Sequence, residues 1–186
     1  MDIELVVRAQ EGDHDAFARL AVGLTPRFVG VAFGILRDRL VAEDAAQAAL
    51  VQVWRELPRL REAPRFQAWA MRILVNTCYR EARRTRHWNP ALAVVDHDPP
   101  APDRFGSVLD RDQLERGLRR LSAEHRASLV LHYSLDLTQR EIADVLGVPA
   151  GTVASRLNRA MASLRSALEA DARSTAQPAA SGEPVR

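Results

Sequence analysis

The stretch Leu137–Arg165, "LTQREIADVLGVPAGTVASRLNRAMASLR", decides how this chain is read. Two helical periods flank a turn only a few residues long. Thr138 followed three residues later by Glu141 fits a capping box, in which the threonine side chain caps the helix and the carboxylate reaches back. Ile142, Ala143, Val145 and Leu146 fall on one face. Gly147 tolerates the left-handed conformation that ends a helix, Val148 plugs the corner, and Pro149 stops the first helix from running on. In the second helix Val153, Leu157, Ala160, Met161 and Leu164 recur at helical spacing, which leaves Thr152, Ser155, Arg156 and Arg159 on the opposite face. That layout suits a helix-turn-helix whose second helix enters the DNA major groove. A helical hairpin with a merely solvated arginine face gives the same pattern, so the rest of the chain has to decide.

Working outward, the composition favours an all-α protein. Leu, Ala and Val dominate, and aromatic residues make up only 5% of the 186 residues. Every one of the 26 cationic side chains is arginine, a rigid fork of donors suited to phosphate and guanine edges, although biased codon usage produces the same bias. The lone cysteine, Cys78, excludes an internal disulfide and offers no metal-ligand spacing. The start, "MDIELVVRAQEGD", is too acidic for a signal peptide, and no apolar run approaches the ~18 residues of a membrane span. A cytoplasmic protein without membrane insertion is expected.

Proline and aspartate divide the chain. "NPALAVVDHDPPAPDRFGS", residues 89–107, reads as an extended acidic linker between an N-terminal helical domain, 1–88, and a second helical domain, 108–170; residues 171–186 read as a disordered tail. In the first domain helices are expected over Asp2–Gln10 and Asp13–Leu24. A third follows with Thr25 as its cap and Pro26 at its first position. "VAEDAAQAALVQVWREL" then buries Ala46, Leu50, Val53 and Leu57 and exposes Glu43, Asp44, Gln47 and Gln52. A last helix, "QAWAMRILVNTCYREARRTRHW", turns Trp69, Ile73 and Cys78 inward. From Arg55 to Trp88 nine arginines stand against Glu56, Glu62 and Glu81, a net +6, which fits either a nucleic-acid surface or a solvated helix face.

With both halves in view, the chain resembles the bacterial RNA polymerase sigma factors of the sigma-70 family, in particular the extracytoplasmic-function (ECF) group, which keeps sigma domains 2 and 4. "AEDAAQAALVQVWREL", "FQAWAMRILVNTCYREARR" and "LTQREIADVLGVPAGTVASRLNRA" carry the resemblance in that order. It implies that Glu43, Asp44, Gln47, Val51 and Trp54 dock on the clamp region of the β′ subunit of core RNA polymerase, with Trp54 partly in the core. It implies that Arg61, Arg65 and Phe66 of the loop, with Asn76, Arg80 and Arg83, open and read the −10 promoter element. It places Thr152, Ser155, Arg156 and Arg159 on the −35 duplex. Arg72 shares the −10 helix and is open to a structural role. The family further implies an anti-sigma partner, and a linker passing through polymerase channels, where Asp96, Asp98 and Asp103 would mimic nucleic-acid charge or simply aid solubility. The chain departs from the family pattern at Ala48, Leu50 and Gln52 of the docking helix, and at Ala154, where a frequent lysine is absent; lower polymerase affinity and one phosphate contact fewer follow.

Two other functions fit parts of the chain. A helix-turn-helix regulator acting without polymerase explains Thr138–Arg165 and leaves the first domain without a task. A protein-only helical adaptor leaves the arginine faces without one. Catalysis finds little footing: His14, His87, His97, His125 and His132 are scattered, and neither a catalytic set, a cofactor nor a metal site is expected.

Overall fold

A computed structural model describes residues 2–88 and 111–175, with side chains described for 2–85 and 112–170. Among these residues every regular element is helical: α1 (Ile3–Gln10), α2 (His14–Leu36), α3 (Arg39–Glu56), 3-10 turns at Leu57–Arg59 and Ala63–Arg65, α4 (Phe66–Trp88), α5 (Arg111–Arg120), α6 (Ala123–Tyr133), α7 (Gln139–Leu146) and α8 (Ala150–Thr175). The starts follow local chemistry. Asp2, Asp13, Asp38, Ser122 and Thr138 each accept a hydrogen bond from a backbone N–H in the first turn, satisfying donors that have no partner within the helix.

The largest departure from the sequence reading is α2. Thr25 is no cap and Pro26 opens no helix; one helix of 23 residues runs straight through both. The reason lies in packing. Leu20, Leu24, Phe28, Val31 and Ile35 continue one apolar stripe across the proline, and all five are buried. Thr25 Oγ1 donates to Ala21 O at 2.7 Å, a local bond that the helix interior tolerates. By length and composition alone α2 could cross a membrane, contrary to the sequence reading, which had broken it in two. It lies instead among α1, α3, α4 and α6.

Smaller corrections concern the edges. Trp69, expected inside, is half-buried. Leu50 and Met161 are likewise only half-buried. α8 continues through residues 171–175, which the sequence had assigned to the tail. The expected linker, residues 89–107, with Asp96, Asp98 and Asp103, lies outside the described residues.

The N- and C-terminal helical groups are packed together, α2 on α6 and α4 on both α6 and α7. Their buried side chains form one apolar cluster, with Phe28, Ile35, Val53, Leu57, Phe66 and Leu74 from α1 to α4 and Leu121, Leu131, Ile142, Val153 and Ala160 from the second half.

Two outcomes follow. Replacing exposed Pro26 by Ala restores the amide that proline removes mid-helix, so stability rises, by up to about 3 kcal/mol, read as a higher urea midpoint. Burial pushes the Cys78 thiol up to about 12. The native protein therefore resists thiol reagents at pH 8 and reacts once unfolded. Because the unfolded thiol ionises near 9 and the folded one does not, stability falls as pH rises above about 9, which denaturation at stepped alkaline pH will show.

Candidate nucleic-acid interface

Three surfaces carry the side chains singled out from the sequence. The first is the outer face of α3. Asp44, Gln47 and Val51 are exposed, Glu43 is half-buried, and Leu40 adds a 75% exposed leucine beside them. Glu43 accepts from Arg39 Nε at 3.0 Å. Trp54 is half-buried, its ring 4.8 Å from that of His14 and 4.7 Å from that of Phe17, so it braces α3 against α2 and shows only one edge. The mixture of apolar area and carboxylate suits a protein partner with a basic rim.

The second surface is the turn region before α4 together with the exposed side of α4. Gln10 Nε2 donates to Leu60 O at 2.7 Å and Leu57 O at 3.3 Å, so α1 pins the chain where it leaves α3. Phe66 does not join this surface. It is fully buried, and its ring, 6.0 Å from that of Trp69, anchors the start of α4. The sequence placed Phe66 among the DNA-reading side chains; in this fold its ring is covered and packs inside the start of α4. Trp69 takes the outward place instead. It lines a cavity of about 280 Å³ with Leu60, Arg61, Arg65, Arg72 and, from α7, Asp144. Its lining combines apolar and aromatic groups with three guanidinium groups and the carboxylates of Glu62 and Asp144, and Glu62 lies 3.7 Å from Arg65. Such a site can stack a planar ring and neutralise a phosphate at once.

Farther along α4, Asn76, Arg80 and Arg83 are exposed on consecutive turns. Arg80 is already oriented: its Nη2 donates to Gln52 Oε1 and to Thr77 Oγ1, both at 3.0 Å, and Gln52 Nε2 donates to Glu56 at 2.9 Å. Gln52, noted in the sequence as an exposed residue and a departure from the family pattern, thus ties α3 to α4. A cation at 52 would repel Arg80 instead.

The third surface is the helix-turn-helix. The capping box forms as read, with Thr138 N–H donating to Glu141 Oε2 at 2.8 Å and Glu141 N–H to Thr138 Oγ1 at 3.4 Å. Thr138 Oγ1 also donates to Glu141 Oε2 at 2.7 Å, and this bond, with the one from the Thr138 amide, holds the Glu141 carboxyl below its ordinary range. Gly147 ends α7 at φ 66°, where a side chain is strained, and its amide donates to Ala143 O. Arg159 is exposed, whereas Thr152, Ser155 and Arg156 are half-buried; Ser155 Oγ donates to Thr152 O at 2.9 Å. Arg156 acts electrostatically on the half-buried Tyr79 of α4, whose covered hydroxyl is pushed well above its usual range by burial and has no hydrogen-bond partner among the described residues. Among the described residues no group of three or more His, Cys, Asp or Glu could hold a metal.

The sequence missed Trp69, Arg72 and Asp144 as cavity residues. An aromatic three positions past Phe66 on a basic helix was a usable signal for Trp69. Asp144 comes from the other half of the chain, and no local pattern could have placed it there.

Comparison with known proteins fits this geometry. The family model for sigma-70 region 2 matches residues 22–87 and that for sigma-70 region 4 matches residues 111–164. RNA polymerase sigma-H factor of Pseudomonas aeruginosa is 29% identical over 184 residues, covering 90% of this chain and 94% of that protein. ECF RNA polymerase sigma factor SigM of Mycobacterium tuberculosis is 34% identical over 166 residues, covering 88% and 82%. Among solved structures, CnrH in complex with the cytosolic domain of CnrY matches with TM-score 0.63 at 25% identity, over 91% of this chain and 98% of that one. RpoE of Bartonella quintana, solved in complex with the anti-sigma factor NepR, shares the fold with TM-score 0.62 at 24% identity, over 83% and 98%. The two region matches, in that order, and the likeness to an ECF relative over most of both chains place this chain in the ECF group of RNA polymerase sigma factors.

Proposed function

We propose that the chain is a dissociable promoter-specificity subunit with no catalysis of its own, and that its three surfaces divide the labour. It binds core RNA polymerase and directs initiation at particular promoters. Asp44, Gln47, Val51 and Leu40, with Glu43 at the edge, form the polymerase-docking face, and Trp54 stiffens it from behind. Arg61, Arg65, Asn76, Arg80 and Arg83 follow the strand at the −10 element, and the Trp69 cavity takes a base that has left the stack. Stacking and charge neutralisation there offset the cost of unstacking. Thr152, Ser155, Arg156 and Arg159 read the −35 duplex in the major groove. The work is cytoplasmic, where polymerase and chromosome meet.

The observation that carries this reading is the coexistence of an acidic, apolar docking face with two separate arginine surfaces in one chain. A regulator acting without polymerase has no use for the first of these. Control by a protein inhibitor belongs to the same proposal. Two proteins of this fold were solved against a second protein, in one case an anti-sigma factor, and an inhibitor of that kind would compete for the α3 face or the arginine surfaces.

Run-off transcription with core polymerase on a library of genomic fragments tests the reading: sequenced start sites should share two upstream elements. Three variants separate the surfaces. Val51→Glu should abolish co-elution with core polymerase. Trp69→Ala should keep core binding and lose tenfold or more of the permanganate-reactive open complex, since stacking on one base contributes about 1–3 kcal/mol. Arg156→Ala should weaken promoter use by about 1–3 kcal/mol and relax preference at one upstream base pair only. Start sites without shared elements, or a Val51→Glu protein that still binds core, would overturn it.

A further inference from the structure

The exposed side of α4 carries Asn76, Arg80 and Arg83, and Arg80 is held there by a chain of hydrogen bonds that reaches across to α3. Its Nη2 donates to Gln52 Oε1 of α3 and to Thr77 Oγ1 of α4, both at 3.0 Å. Each acceptor is itself fixed. Thr77 is buried, and its hydroxyl donates to Ile73 O at 3.0 Å, which leaves its lone pairs for Arg80. Gln52 Nε2 donates to Glu56 Oε1 at 2.9 Å. Turning that amide over would set its NH2 against the guanidinium and its oxygen against the carboxylate, donor on donor and acceptor on acceptor. The chemistry therefore admits one orientation of Gln52.

The identity of the engaged nitrogen sets what Arg80 can grip. A guanidinium meets two acceptors together through either of two edges, Nε with Nη2 or Nη1 with Nη2, and Nη2 belongs to both. With Nη2 bonded to Gln52 and Thr77, neither edge of Arg80 serves as a fork. Nε and Nη1 then lie on different sides of the group, and each suits a single acceptor such as one phosphate oxygen. Reading a guanine edge needs the fork. Both acceptors on Nη2 are neutral, so the guanidinium keeps its charge. Arg84, a turn further on, shows the alternative: it pairs with the Glu81 carboxylate at 3.0 Å within α4. Holding Arg80 in advance also removes side-chain freedom that an unrestrained arginine would lose on binding.

We propose that Gln52 is a positioning residue for promoter engagement: together with Thr77 it fixes the Arg80 guanidinium, so that Arg80 holds a single phosphate of the −10 strand and reads no base. The proposal rests on the functional reading above for the strand that Arg80 meets; the fixing of Arg80 does not.

Gln52→Met tests it, because methionine keeps the length of the side chain and loses both hydrogen bonds. The full-length variants are assayed with core polymerase on a promoter recovered from the run-off library, each base of its −10 element being replaced in turn. Gln52→Met should co-elute with core as wild type does. It should lose about threefold to tenfold in open complex, the effect of about one hydrogen bond, and lose it alike on every sequence, so that the ranking of bases is unchanged. Arg80→Ala should lose at least as much, again without reordering the bases. It should also lower the slope of log affinity against log salt by about 0.7, as expected for one single-strand phosphate contact. Adding Gln52→Met to Arg80→Ala should cause no further loss, since the two act through one guanidinium.

A Gln52→Met protein as active as wild type, losses that multiply in the double variant, or a changed base ranking in either single variant would overturn the proposal. A wild-type protein that binds core and finds no promoter would overturn the functional reading, and side-chain NMR then judges the fixing by itself. In wild type the two Nη groups of Arg80, assigned with Arg80→Lys, should give separate signals that merge in Gln52→Met. Merged signals in wild type would show that Arg80 is not held.

Discussion

The rest of the structure depends on α2 remaining one helix. Leu20, Leu24, Phe28, Val31 and Ile35 form a single stripe, and the helix ends where Ile35 O meets Arg126 from the second half of the chain. A break at Pro26 would split that stripe between two independently oriented segments. α3 would lose its bed, and with it the orientation of Asp44, Gln47 and Val51. The proline is tolerated because burial on both sides of it outweighs one missing backbone hydrogen bond. A fully buried phenylalanine or leucine contributes about 1.5–3 kcal/mol, and the stripe holds several.

Around this rod the polar chemistry is arranged in steps. Gln10 pins the turn after α3, buried Phe66 fixes the start of α4, and Gln52 aims Arg80. Gln52, a neutral group, orients Arg80 without neutralising it. Among the described residues only Arg65 of the cavity arginines has a carboxylate within 4 Å, and that pair is exposed and contributes little. The cavity thus keeps its attraction for an anion. Asp144 is the exception, since it brings negative charge to the cavity from the second half of the chain.

Much of the architecture was legible because local signals were strong. The capping box at Thr138 and Glu141, Gly147 after α7, and the apolar spacing of Val153, Leu157 and Ala160 all appear where the sequence put them. What failed did so for tertiary reasons. Thr25-Pro26 is a good helix start in isolation, and only packing reveals that the preceding helix does not stop. Phe66 and Trp69, three residues apart on a helix that is apolar on one side, could have exchanged roles; which ring is covered depends on how α4 is rotated against α2 and α3. Asp144 and Arg72 come close through contact between distant segments, and no pattern of spacing encodes that. Ala48 and Leu50 remain plain departures from the family pattern, with Leu50 half-buried.

The length of α8 has a practical bearing. The region-4 match stops at residue 164, yet the helix runs to Thr175. Its later turns are not ornamental: Leu168 is buried, near where a Cβ on Gly117 would project, and Ala167 O accepts from Arg120 at 3.2 Å. A fragment trimmed to the homology boundary would strip the clasp from α5 and leave an oily seam facing water. Expression boundaries, affinity handles and fusion joints for the second half therefore belong beyond residue 175.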